Sequence, residues 1–69
     1  MATYAVKAWN VYSTKPENSR LVSGHSVEAG SVTEALDQGQ TIAANWNREE
    51  TRENMTVNLI TCEGFIRSV

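Results

Sequence analysis

The sequence predicts an α+β domain in which a small antiparallel sheet of three or four strands carries one amphipathic helix on one face, in the order ββαβ or ββαββ. Three observations predict it. Two stretches rich in β-branched and aromatic residues flank a short loop, one stretch alone has the three-and-four apolar spacing of a helix, and a further strand-like run follows that helix. The chain has 69 residues, enough for a single domain, residues 1–69, that buries only about 60% of the surface its unfolded form exposes.

The first strand is "TYAVKAWNVYS" (Thr3 to Ser13), dense in Val, Tyr and Trp. "TKPENSR" (Thr14 to Arg20) gathers Pro16, Asn18 and Ser19 and reads as the loop of a hairpin. The second strand is "RLVSGHSVEA" (Arg20 to Ala29). Its two-residue period places Leu21, Ser23, His25, Val27 and Ala29 on one face and Val22, Gly24, Ser26 and Glu28 on the other.

Gly30 then turns the chain. Ser31 is placed to accept from a free backbone N–H at a helix start, and Glu34 three residues later completes a Ser-x-x-Glu capping box. Val32, Ala35, Leu36, Gly39, Ile42, Ala43 and Trp46 fall on one helical stripe, predicting an amphipathic helix of about four turns. Gly39 costs roughly 1 kcal/mol relative to Ala inside a helix, so its place on the apolar stripe predicts a close approach of backbone to sheet. "NREETREN" (Asn47 to Asn54) reads as a polar connection and "MTVNLITC" (Met55 to Cys62) as the third strand. Glu63 and Gly64 can turn the chain into a short fourth strand, Phe65 to Val69.

A single helix covers one face of such a sheet. The expected core is Leu21, Val27, Leu36, Ile42, Ala43, Val57 and Leu59. The first strand carries large apolar groups on both sides. With Tyr4, Val6 and Ala8 under the helix, Trp9 and Val11 join Val22 and Ile60 on the open face, rimmed by Lys7, Glu28, Thr56 and Asn58. An apolar patch of this kind on a small protein marks an interface, so the predicted protein-binding residues are Lys7, Trp9, Val11, Val22, Glu28 and Ile60.

Composition removes other chemistries. Six Lys and Arg against eight Asp and Glu give a net charge of −2, which argues against nucleic acid, whose binding draws on clustered positive charge. No apolar run approaches the roughly 20 residues that span a bilayer, and "MATYAVKAWNVY" lacks the layout of a secretory signal, so a cytoplasmic protein is expected. One cysteine and one histidine are too few for a zinc site, and no cofactor motif is present. His25 and Cys62 read as structural, and Glu49, Glu50 and Glu53 as a solvated loop interrupted by Arg48 and Arg52. No enzyme is expected.

The strand exit and capping box in "VEAGSVTEAL" (Val27 to Leu36), set in a chain of this size and element order, resembles the small proteins that bacteriophages encode to disable host machinery, RNA polymerase inhibitors and anti-CRISPR proteins among them. The resemblance implies action in the host cytoplasm by binding, as an inhibitor that occludes a surface of a larger enzyme complex such as a CRISPR effector or RNA polymerase. The alternative is a structural, self-assembling subunit, a homodimer or larger homo-oligomer joined through the open sheet face.

Overall fold

The computed structural model describes residues 1–12 and 14–69. Strand β1 (Ala2–Asn10) is followed by a single 3₁₀ turn, strand β2 (Arg20–Ala29) and helix α1 (Val32–Glu49). A second 3₁₀ turn, Glu53–Met55, leads into β3 (Leu59–Cys62) and β4 (Phe65–Ser68). The sheet order is β2-β1-β3-β4, antiparallel throughout, so β2 and β3 run parallel on either side of β1 and α1 crosses between them. This is the α+β arrangement expected, with the fourth strand formed. The first strand ends at Asn10; Ser13, its predicted end, lies outside the described residues.

The helix begins where its chemistry says it should. Ser31 Oγ accepts from the backbone N–H of Glu34 at 3.2 Å, and the Glu34 carboxylate reaches back to the N–H of Gly30 at 3.0 Å. In the usual capping box the carboxylate takes the N–H of the capping residue itself; here it takes the one before, which also fixes the chain's exit from β2. The helix runs to Glu49, longer than the four turns expected, and closes with the Glu50 N–H on the Trp46 carbonyl.

Ala35, Gly39 and Ala43 face the sheet at four-residue intervals and are buried with Leu36. These small groups let the helix backbone settle low on β1 and β3. A Cβ at Gly39 would stand 2.8 Å from Val6 Cγ1 and 3.2 Å from Ile60 Cδ1, so the close approach read from the sequence is present. The core is completed by Val6, Ala8, Val27, Ala29, Val57, Ile60 and Cys62, with Ile42 and Trp46 partly buried against it. Each fully buried Val, Leu or Ile contributes about 1.5–3 kcal/mol, which makes every one of them significant in a domain this small.

Two expected core residues are elsewhere. Leu21 is 50% exposed, and Leu59 is half-buried on the side away from the helix, paired with Trp9. The cause for Leu21 is a bulge. Ala8 pairs with Ser23 but Trp9 pairs with Leu21, so Val22 is the extra residue in β2 and the two-residue alternation slips by one. Leu59 is displaced by the way the chain enters β3. Asn47 holds Val57 at two points, its amide donating to the Val57 carbonyl at 2.8 Å and its carbonyl accepting the Val57 N–H at 2.7 Å. Regular strand pairing starts only at Leu59, so Val57 and Ile60, not Val57 and Leu59, are the buried pair.

Side-chain amides recur along this connection. Asn10, the one buried polar residue among those described, donates to the Thr56 carbonyl at 2.8 Å. Asn58 makes a two-point bond with the backbone of Val11, at 2.8 and 2.9 Å, and the Trp46 indole donates to the Met55 carbonyl at 2.8 Å. Residues 55–58, read from the sequence as the start of the third strand, are therefore outside β3 and are pinned to β1 and α1 by groups that stand in for ladder hydrogen bonds.

Candidate protein-binding surface

The open face is built row by row from the strand register. Directly paired residues of neighbouring strands share a face, so Leu21, Trp9, Leu59 and Ser68 form one row across all four strands, and Gly24, Lys7, Thr61 and Ile66 form the next. Beyond them lie Ser26 with Ala5 and Glu28 with Thr3. Trp9 occupies the middle of the apolar end. Its indole N–H donates to Thr61 Oγ1 at 2.9 Å, which lays the ring toward β3. Leu21 stands beside it on β2, Leu59 on β3, and Ile66, 66% exposed, on β4.

Of the predicted binding residues, Trp9, Lys7 and Glu28 lie on this face, Lys7 against the apolar row and Glu28 at the distant polar end. Val11 lies just past β1, half-buried, with its backbone N–H and carbonyl held by Asn58. Ile60 does not belong to the surface. It is fully buried under the helix, because β3 counts its alternation from Leu59. Val22 does not belong either; as the bulged residue it packs against the core. Thr56, expected on the rim, is instead tied into the second 3₁₀ turn through its hydroxyl, which donates to the Glu53 carbonyl at 2.8 Å.

The residues missed were Leu21, Leu59, Thr61 and Ile66. A faint signal existed for the first two: "LV" at Leu21–Val22 and "LI" at Leu59–Ile60 are adjacent apolar pairs, which a strictly alternating strand with one solvent face does not require. Such a pair leaves open which member faces in, and in both cases it is the second member that packs toward the core, Val22 partly buried and Ile60 fully.

Ser23 Oγ lies 2.9 Å from His25 Nε2, a contact that follows from their spacing on one face of a strand. Among the described residues no carboxylate bonds the other ring nitrogen, so the nucleophile–base–orienter chain of a catalytic serine is incomplete. Cys62 is buried and free, and burial, with the Glu63 carboxylate adding to it, pushes its thiol pKa up, away from the thiolate form. Among the described residues no cluster of His, Cys, Asp and Glu could hold a metal ion. Glu50 and Arg52 form an ion pair at 3.0 Å, in which the guanidinium's hydrogen bonds hold the carboxyl down at about 2. No described helix is long and apolar enough to cross a membrane. No family model, curated protein or solved structure matches the chain.

Proposed function

We propose that this chain is a small non-enzymatic protein-binding domain that works by laying the open face of its sheet, centred on Trp9, against a larger protein. The observation that supports it is the row Leu21–Trp9–Leu59 with Ile66 beside it. These are apolar groups on the side of the sheet that no helix covers, two of them at least half exposed. Leaving them in water has no folding benefit, and a contiguous apolar patch bordered by Lys7 and Thr61 has the make-up of an interface core with a polar rim. Trp9 is pre-oriented by its bond to Thr61, so little side-chain freedom is lost on binding. Net charge of −2 favours a protein over a nucleic-acid partner.

The finer reading is that of a phage-encoded inhibitor whose docked sheet occludes a working surface of a host enzyme complex, a CRISPR effector or RNA polymerase. It needs no catalytic group of its own. The test is Trp9→Ala, made in tagged protein and used beside the wild type to capture partners from the native host, with mass spectrometry as the readout and circular dichroism melting as the control for folding. A folded variant that loses what the wild type captures supports the reading; for a hot-spot tryptophan the loss corresponds to about 2 kcal/mol or more. A folded variant that captures the same proteins equally well overturns it.

A further inference from the structure

Strand β2 is one edge of the sheet and is ten residues long, whereas the other edge, β4, has four. A long edge presents a row of unpaired N–H and C=O groups, which proteins ordinarily blunt with proline, lysine, inward-pointing charge or simple shortness. β4 is short and carries Arg67, which pairs with Asp37 of α1. Between Leu21 and Val27, β2 has neither proline nor a Lys, Arg, Asp or Glu. Its bulge affects only the end near Val22, leaving a regular stretch from Ser23 to Ala29. Gln38, on the flank of α1 away from the Asp37–Arg67 pair, donates to the Glu28 carbonyl at 2.8 Å. That carbonyl therefore faces the open edge, and by the two-residue period of a strand the backbone groups of Ser26 and Gly24 face the same way.

We infer that β2 pairs antiparallel with β2 of a second copy about a two-fold axis at Ser26, the midpoint of the regular stretch, joining the two sheets into one. This register sets Ser26 opposite itself and Gly24 opposite Glu28 of the second copy. Charge complementarity selects it. Lys7 is the direct neighbour of Gly24 on the open face, and Gly24 carries no side chain, with nothing within 4 Å of the place a Cβ would take. Glu28 of the second copy then lies two strand spacings from Lys7, about 10 Å between backbones, within joint reach of an extended lysine and glutamate across a bare glycine. Symmetry makes two such pairs. The Glu28 carbonyl keeps its bond from Gln38 and accepts the Gly24 N–H on its other lone pair. On the helix side the same register places His25 beside Val27 of the second copy. The two open faces stay uncovered and point the same way, so the inference stands apart from the binding role assigned to Trp9.

Light scattering across a wide concentration series reads the association directly. The wild type is expected to dimerise, Lys7→Glu to weaken the dimer about tenfold or more through two like-charge contacts, and the swap Lys7→Glu with Glu28→Lys to restore it. Ser26→Pro, which removes an edge N–H that the monomer does not use, should leave no dimer, and Trp9→Ala should leave the dimer intact. A wild type that stays monomeric throughout, a dimer indifferent to Lys7→Glu, a charge swap that does not recover it, or loss of the dimer in Trp9→Ala would each overturn the pairing. Should Ser26→Pro not fold, the single and swapped charge variants decide the matter alone.

Discussion

Replacing Gly39 by alanine sets two effects of known sign against each other. In a free helix alanine is better than glycine by about 0.8–1.0 kcal/mol, so the substitution ought to stabilise if Gly39 had room. It has none. The new methyl would stand 2.8 Å from Val6 Cγ1 and 3.2 Å from Ile60 Cδ1, against an optimal carbon–carbon separation of about 3.5–4.0 Å. Val6 is 1% exposed and Ile60 fully buried, and a β-branched valine on a strand has little rotamer freedom with which to retreat. Overpacking of this kind costs about 1–3 kcal/mol. The net expectation is a loss of about 1 kcal/mol for Gly39→Ala, or a melting temperature lower by about 4–8 °C in a domain of this size, and a larger loss for Gly39→Leu. Urea denaturation followed by tryptophan fluorescence measures it. Combining Gly39→Ala with Val6→Ala, which removes the crowded methyl, should cost less than the sum of the single changes. A Gly39→Ala protein more stable than wild type, or strict additivity in the double variant, would refute the close approach of α1 to β1.

Other expectations rest on single contacts. Asn47→Ala leaves both the N–H and the carbonyl of buried Val57 without partners and should cost about 2–4 kcal/mol, measured by the denaturant midpoint. Ser31→Ala removes the acceptor for the Glu34 N–H and should cost about 0.5–2 kcal/mol; an unchanged midpoint would count against the cap. The Glu50 carboxyl is held at about 2, below its ordinary 4.5, by Arg52. Because the folded value is the lower one, this pair's contribution is complete above pH 4.5 and is lost as the pH falls from there toward 2. Arg52→Gln should flatten that part of the acid limb, and an unaltered limb would show that the pair adds nothing.

What the sequence made legible was whatever is encoded locally. The capping residues Ser31 and Glu34, the helical stripe through Gly39 and the span Arg20–Ala29 of β2 could each be read within a few neighbours, and Val27, Leu36, Ala43 and Val57 are buried as expected. What escaped was parity. A strand's face is counted from its pairing partner, and one unpaired residue at Val22 reverses the count for everything before it. The entry to β3 escaped for a related reason: Asn47 and Asn58 replace strand pairing with side-chain bonds, and nothing in a polar run such as "NREETREN" distinguishes an amide that clamps backbone from one that faces solvent. The expected open face inherited both errors, so Trp9 and Lys7 lie on it as read while Leu21, Leu59 and Ile66 stand there in place of Val22 and Ile60.

Leu21 is where the two accounts of the surface separate most sharply, because strict alternation places it in the core and the bulge places it beside Trp9 on the open face. The decisive measurement is Leu21→Glu, taken through a thermal melt and then through binding to the partner that the wild type captures. A charge on a half-exposed surface position should move stability within about 0.5 kcal/mol, so the variant is expected to melt close to wild type and to have lost its partner. A variant that is unfolded would return Leu21 to the core, and one that folds and binds as the wild type does would show that the open face around Trp9 is not where this protein meets its partner.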